Sequence, residues 1–223
     1  MRQSRQMSET FRLGLILAIS GGFMDAYSYL FRGHVFANAQ TGNMLLLGVN
    51  LSMQNYGNIL RYFSPVVAFT IGIILSDIFR HKSNVEWKLH WRQISVLFEA
   101  IILFIVAFVP QNLNLLANSM TSLACGIQVE SFRKIHGNGI ATTMCIGNLR
   151  SGTQNLCNYF MKKEKNYLHT CILYYGIIFC FILGAVLGSV AIKYLQAKSI
   201  LICSMMLFIV FLIMFVQNIY LEN

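Results

Sequence analysis

Five apolar runs constrain this chain more than anything else in it: residues 11–31, 59–79, 94–109, 168–192 and 199–216. Each approaches or falls within the ~17–25 residues that a helix needs to cross a bilayer. Hydrophobic residues make up 56% of the sequence and charged residues 11%. A soluble domain carries roughly 25% charged residues, so this chain cannot cover itself with a water-compatible surface. The expected fold is an all-α, polytopic transmembrane bundle forming a single membrane domain.

The net charge of +9 does not indicate a nucleic-acid partner. The seventeen Lys and Arg are divided among short connecting segments instead of gathered on one face. In a membrane protein that excess marks cytoplasmic loops. The six cysteines, Cys125, Cys145, Cys157, Cys171, Cys180 and Cys203, form no C-x-x-C pair and fall in or beside apolar segments. They read as small hydrophobes, not as a disulfide framework or a metal site. The N-terminal arginines and the Ala37-Asn38-Ala39 triplet resemble a secretory signal, but Asp25 would interrupt its apolar core. A retained first helix is expected.

A polar pattern inside this apolar sequence occurs twice. Gly21, Asp25-Ala26-Tyr27 and Gly42-Asn43 are answered by Gly126, Glu130-Ser131-Phe132 and Gly147-Asn148, each 105 positions later. A later pair, Gly72-x-x-x-Ser76 and Gly184-x-x-x-Gly188, stands 112 apart, and the extra seven residues fit the polar loop at 162–166. These small residues, one helical turn apart, suit close helix crossing. The chain therefore divides into a first repeat over 11–109 and a second over 115–219. In each, a carboxylate-bearing helix (11–31, 115–133) precedes a semi-polar segment (35–51, 138–160). Two further apolar helices follow, at 58–79 and 94–109 in the first half and at 168–193 and 199–219 in the second.

Whether the Gly-Asn segments cross the membrane sets the topology. If both re-enter, each half has three spans and the halves are inverted; if both cross, there are eight spans and the halves are parallel. In the six-span arrangement thirteen Lys and Arg fall on the cytoplasmic side, and only Arg32, Arg61, Lys193 and Lys198 on the other. The eight-span arrangement splits them nine to eight. The positive-inside rule thus favours six spans, two re-entrant segments, inverted repeats and both termini in the cytoplasm.

The candidate binding residues are Asp25, Thr41, Asn43, Glu130 and Asn148. A carboxylate in a membrane helix costs at least about 2.5–3.5 kcal/mol on insertion scales, so it faces the protein interior. Asp25 and Glu130 could bind a cation or proton in a shared site, or could glue helices together by pairing with Arg32 or Arg133. Glycine lets the chain leave helical geometry, and Asn can satisfy freed backbone groups or present its amide to a ligand. Broken helices around Gly42-Asn43 and Gly147-Asn148 would line a wet cavity; the alternative is a tight turn capped by Asn. His34, His81, His90, His136 and His169 read as loop residues, and Trp87 and Trp91 as interface anchors. No nucleophile–base, zinc or dinucleotide motif is found, so neither an enzyme nor a cofactor is expected.

The runs Gly21-Gly22-Phe23-Met24-Asp25-Ala26-Tyr27 and Phe36-Ala37-Asn38-Ala39-Gln40-Thr41-Gly42-Asn43 resemble the opening signature of the YoaK-like bacterial membrane proteins. Ile146-Gly147-Asn148-Leu149-Arg150 is similar to that family's second motif, with Ile146 where Thr is usual. The resemblance covers most of the chain. It implies a multi-pass protein of the bacterial inner membrane, in a family of unknown function for which transport is suspected. The expected function is transport of a small solute or ion through a polar site between the repeats, with the lipid bilayer as partner and a homodimer as a common assembly for this size. The alternative is a non-transporting structural or regulatory membrane protein.

Overall fold

The computed structural model describes residues 11–86, 90–135 and 138–222. Within them the chain forms eight α-helices: α1 Phe11–Phe31, α2 Gln40–Ser52, α3 Tyr56–Glu86, α4 Trp91–Val106, α5 Asn114–Ser131, α6 Cys145–Lys162, α7 Lys165–Leu195 and α8 Leu201–Glu222. A two-residue antiparallel ladder, Lys134–Ile135 with Asn138–Gly139, follows α5. Trp87 and His136 lie outside the described residues.

Three apolar stretches are long enough to cross a membrane: Arg12–Phe31, Tyr56–Lys82 and Lys165–Phe215. The last is 51 residues long and is broken by a 3₁₀ turn at Gln196–Ile200, so it holds both α7 and α8. Many large apolar side chains on these helices are exposed, among them Ile71, Phe179, Ile182 and Ile209. A soluble monomer does not carry so much contiguous apolar surface; hydrocarbon is the solvent that fits it.

The semi-polar segments are short helices preceded by irregular backbone. With 13 residues, α2 is about 20 Å long at ~1.5 Å per residue, too short for a hydrocarbon core of about 30 Å. The 18 residues of α6 include the exposed Arg150 and exposed Ile146. Gly42-Asn43 and Gly147-Asn148 do not break helices; they sit in the first turns of α2 and α6. The break comes before them, at residues 32–39 and 140–144. Two other expectations are corrected. The segment after residue 79 stays helical to Glu86, so His81 is helical, as is His169 in α7. The longer second repeat is accommodated mainly by helix, because α6 has 18 residues against 13 in α2.

Close helix crossings repeat between the halves. α1 packs along α7 and α3 along α5. A Cβ at Gly22 would strike the carbonyl of Phe181 and one at Gly184 that of Ile19, while Gly126 faces the Phe69 carbonyl and Gly72 that of Leu123. α2 lies on α3 and α6 on α7, and α4 packs against α8. The main core, which includes Leu17, Met24, Leu103, Cys125, Ile127 and Leu207, sits where α1, α4, α5 and α8 meet.

Candidate functional site

The halves enclose a cavity of about 740 Å³. One side of its wall is Asp25, Ala26 and Tyr29 of α1 with Asn38–Thr41 at the start of α2; the other is Thr143–Ile146 at the start of α6 with Phe181 and Ala185 of α7. Two helix N-termini and a carboxylate therefore share one space. Helix N-termini present unpaired backbone N–H groups, while Asp25 carries the opposite charge preference, so the wall can meet both donors and acceptors. Most of the lining is apolar, with Leu30, Phe36, Phe69 and Met144 completing it.

Asp25 organises the break before α2. The backbone N–H of Asn38 donates to its Oδ1 at 2.7 Å. The Asn38 side chain donates in turn to the Gly21 carbonyl at 2.9 Å, and the backbone N–H of Ala37 donates to Ser28 Oγ at 3.1 Å. On the facing side, Gln128 donates to the Leu17 carbonyl (3.0 Å) and to Thr142 Oγ1 (3.2 Å). Two buried polar atoms on cavity-lining residues have no hydrogen-bond partner among the described residues: Asn38 Oδ1 and Thr143 Oγ1. An orphaned buried polar atom costs about 1–3 kcal/mol, and both atoms are buried in the wall, away from the cavity surface.

Of the five residues expected from the sequence, Asp25 and Thr41 line this cavity. Asn43 and Asn148 stand behind it, and each ties down the strand of backbone that precedes its helix. Asn43 Oδ1 accepts from the Phe36 N–H (3.0 Å) and its amide donates to the Phe36 carbonyl (2.7 Å) and to Gln40 Oε1 (2.9 Å). Asn148 Oδ1 accepts from the Ala141 N–H (3.3 Å), and its amide donates to the carbonyls of Ala141 (2.6 Å) and Met144 (3.1 Å). The same two-way bond to the residue seven positions back recurs in both halves. Asn→Asp at either position replaces the donor with an acceptor facing a carbonyl. Such a variant is expected to lose about 1–3 kcal/mol, read as a lowered unfolding temperature in detergent; an unchanged temperature at both sites would rule this role out.

Glu130 is elsewhere. Its carboxylate accepts from Arg80 (3.4 Å) and pairs with Arg133 (3.3 Å), beside the Arg92 side chain that donates to the Ser131 carbonyl (3.0 Å). The reason is one residue of register. The contact glycines Gly22 and Gly126 are 104 positions apart, not 105, so the residue equivalent to Asp25 on the packed helix is Val129. One residue turns a helix by roughly 100°, which carries Glu130 off the cavity direction and toward the basic end. Asn43 and Asn148 keep the 105 spacing because the connection after α5 absorbs the difference.

Two charged residues escape a reading based on the repeat. Arg32 is 1% exposed and pairs with helix-end carbonyls instead of Asp25. Glu99, in a run that reads as plainly apolar, is completely buried. A single carboxylate within α4 was the available signal.

The model of the family described as "Protein of unknown function (DUF1275)" matches residues 13–213. A relative in Bacillus subtilis (strain 168), the "UPF0700 transmembrane protein YoaK", is 27% identical over 186 residues, covering 79% of this chain and 81% of its own length. No solved structure matches the chain. With most of its length inside the family model and apolar helices exposed to the bilayer, the chain belongs to the DUF1275 family of membrane proteins.

Proposed function

We propose that the protein is a small permease of six spans in two inverted repeats, moving a compact, mostly apolar solute with a hydrogen-bond-donating head group. The observation that carries this reading is the cavity between the halves, with Asp25, Gln40, Thr41 and Ser189 on a mostly apolar wall. A donor such as a hydroxyl or ammonium would meet the Asp25 carboxylate, while Phe36, Phe69 and Phe181 would enclose its apolar part. Two short helices whose N-termini meet at one cavity are also what opposed re-entrant segments would produce. The separation of Arg32 from the Arg80, Arg92 and Arg133 cluster supports the inverted orientation, with the termini in the cytoplasm of a bacterial inner membrane.

A second reading, a non-transporting membrane scaffold, is favoured by the backbone bonds that occupy Asp25, Asn43 and Asn148. Water access separates the two. Cys145 lines the cavity, so it serves as a native probe once the other five cysteines are replaced, with Thr41→Cys as its counterpart across the space. In folded protein both thiols should react with a small hydrophilic maleimide, Thr41→Cys from outside and Cys145 from the cytoplasmic side. Asp25→Asn, which keeps the acceptor for the Asn38 N–H, should remain folded and lose transport. Full protection of both thiols in folded protein would support the scaffold instead.

A further inference from the structure

We propose that Glu99 is a second, occluded site whose ligand is a single proton, carried in the core of the bundle and separate from the cavity. Glu99 is completely buried in the middle of α4, and neither carboxylate oxygen has a hydrogen-bond partner among the described residues. A lone carboxylate anion without a cation or donor is prohibitively costly in such surroundings. A bound ligand of positive charge removes that cost, and the surroundings decide which.

A metal ion needs about six or more oxygen ligands if it is calcium-like, and no group of three or more His, Cys, Asp or Glu side chains gathers among the described residues. The groups around Glu99 are few. Cys203 of α8 lies in its field and donates to the Ser20 carbonyl at 3.7 Å. Cys125 of α5 lies in the fields of both Glu99 and Asp25 and donates to Met24 Sδ at 3.7 Å. From α3, Arg80 is joined to Asp77 and to Glu130 of α5, while Phe79 meets Phe98, the residue before Glu99. Lys198 of the 3₁₀ turn is exposed, Arg92 on α4 itself stands about two turns or ~10 Å away, and His90, the cap of α4, ~13 Å away. Sulfur, a serine and aliphatic carbon suit a neutral acid; they do not make a cation cage.

Ser20 Oγ, like Glu99, is buried without a hydrogen-bond partner among the described residues. The proton site itself holds whether or not a solute is moved, so it stands apart from the permease reading.

Infrared spectroscopy on the full chain in detergent reads it directly. At about pH 8, far above the ordinary glutamate value, an un-ionised carboxylic acid band should remain, and isotope labelling of glutamate carboxyls should shift it. Glu99→Gln should abolish that band while leaving elution and unfolding temperature near wild type, since it preserves a neutral group of the same shape. Asp25→Asn should leave the labelled-glutamate band in place. The labelled wild type needs no variant to fold. If it shows no acid band at that pH, or if the band survives Glu99→Gln, the proposal is overturned.

Discussion

Leucine in place of Gly22 is expected to prevent the protein from accumulating in a folded form, whereas leucine at Gly48 leaves it folded. The contrast follows from what each position faces. A Cβ at Gly22 meets the backbone carbonyl of Phe181 and the peptide of Ala185 on α7, while one at Gly48 has nothing within 4 Å. Side-chain overpacking in a core costs about 1–3 kcal/mol because rotamers can shift. Here the obstacle is backbone, and relief requires α1 and α7 to separate along a seam that Gly184 closes from the other side. Alanine at Gly22 should already cost about 3 kcal/mol or more, and leucine should exceed the reserve of a typical domain. Gly126→Leu should behave alike, because Gly126 presses on the Phe69 carbonyl of α3. Yield in the membrane fraction and the elution profile in detergent measure both. A Gly22→Leu protein that elutes and melts as wild type would show that this crossing is looser than described.

The all-helical character and the approximate ends of the apolar helices were legible because they rest on long runs of transfer free energy, which no local detail reverses. The directions of side chains were much less legible. A repeat aligned on Gly21 and Gly126 pairs Asp25 with Glu130; an alignment on the glycines that touch pairs Gly22 with Gly126 and sends Glu130 to Arg80 and Arg133. Both alignments fit a two-glycine motif, and only packing chooses between them. Asp25 was legible as a cavity residue because it is a carboxylate in an apolar helix, and Thr41 because it follows a backbone break. Asn38 and Thr143, which line the wall, carried no signal of their own, since their contacts are set by the tertiary fold. Glu99 and Arg32 were passed over for a related reason: neither is duplicated, and each acts through tertiary surroundings that one-dimensional patterns do not encode.

Arg32→Met is expected to destabilise the protein by about 3–5 kcal/mol, the range for breaking a buried charge network, even though it removes a charge from an apolar core. The gain from losing a buried cation is outweighed by what the guanidinium satisfies. Its Nη2 donates to the carbonyls of Val106 (3.1 Å) and Val109 (2.8 Å), and Nη1 to Pro110 (3.3 Å) and to Asn114 Oδ1 (3.2 Å). Three of these acceptors are carbonyls at and just past the end of α4, where Val106 and Pro110 also accept from the backbone N–H groups of Val109 and Leu113, and the negative end of the helix dipole offsets the positive charge. Nε donates to Tyr27 Oη at 2.9 Å, and that hydroxyl donates to the Ala197 carbonyl at 3.2 Å. Arg32 thereby joins α1, the end of α4, the start of α5 and the turn before α8. Lysine should restore only part of the loss, because three donors on one atom cannot serve acceptors spread around a planar fork. Tyr27→Phe should cost about 1 kcal/mol, and in the double variant its cost should shrink once the guanidinium is gone. Thermal unfolding in detergent of the four proteins gives this cycle. Additive losses would mean that Arg32 and Tyr27 act separately, and an Arg32→Met protein as stable as wild type would leave the α4 end secured by other groups.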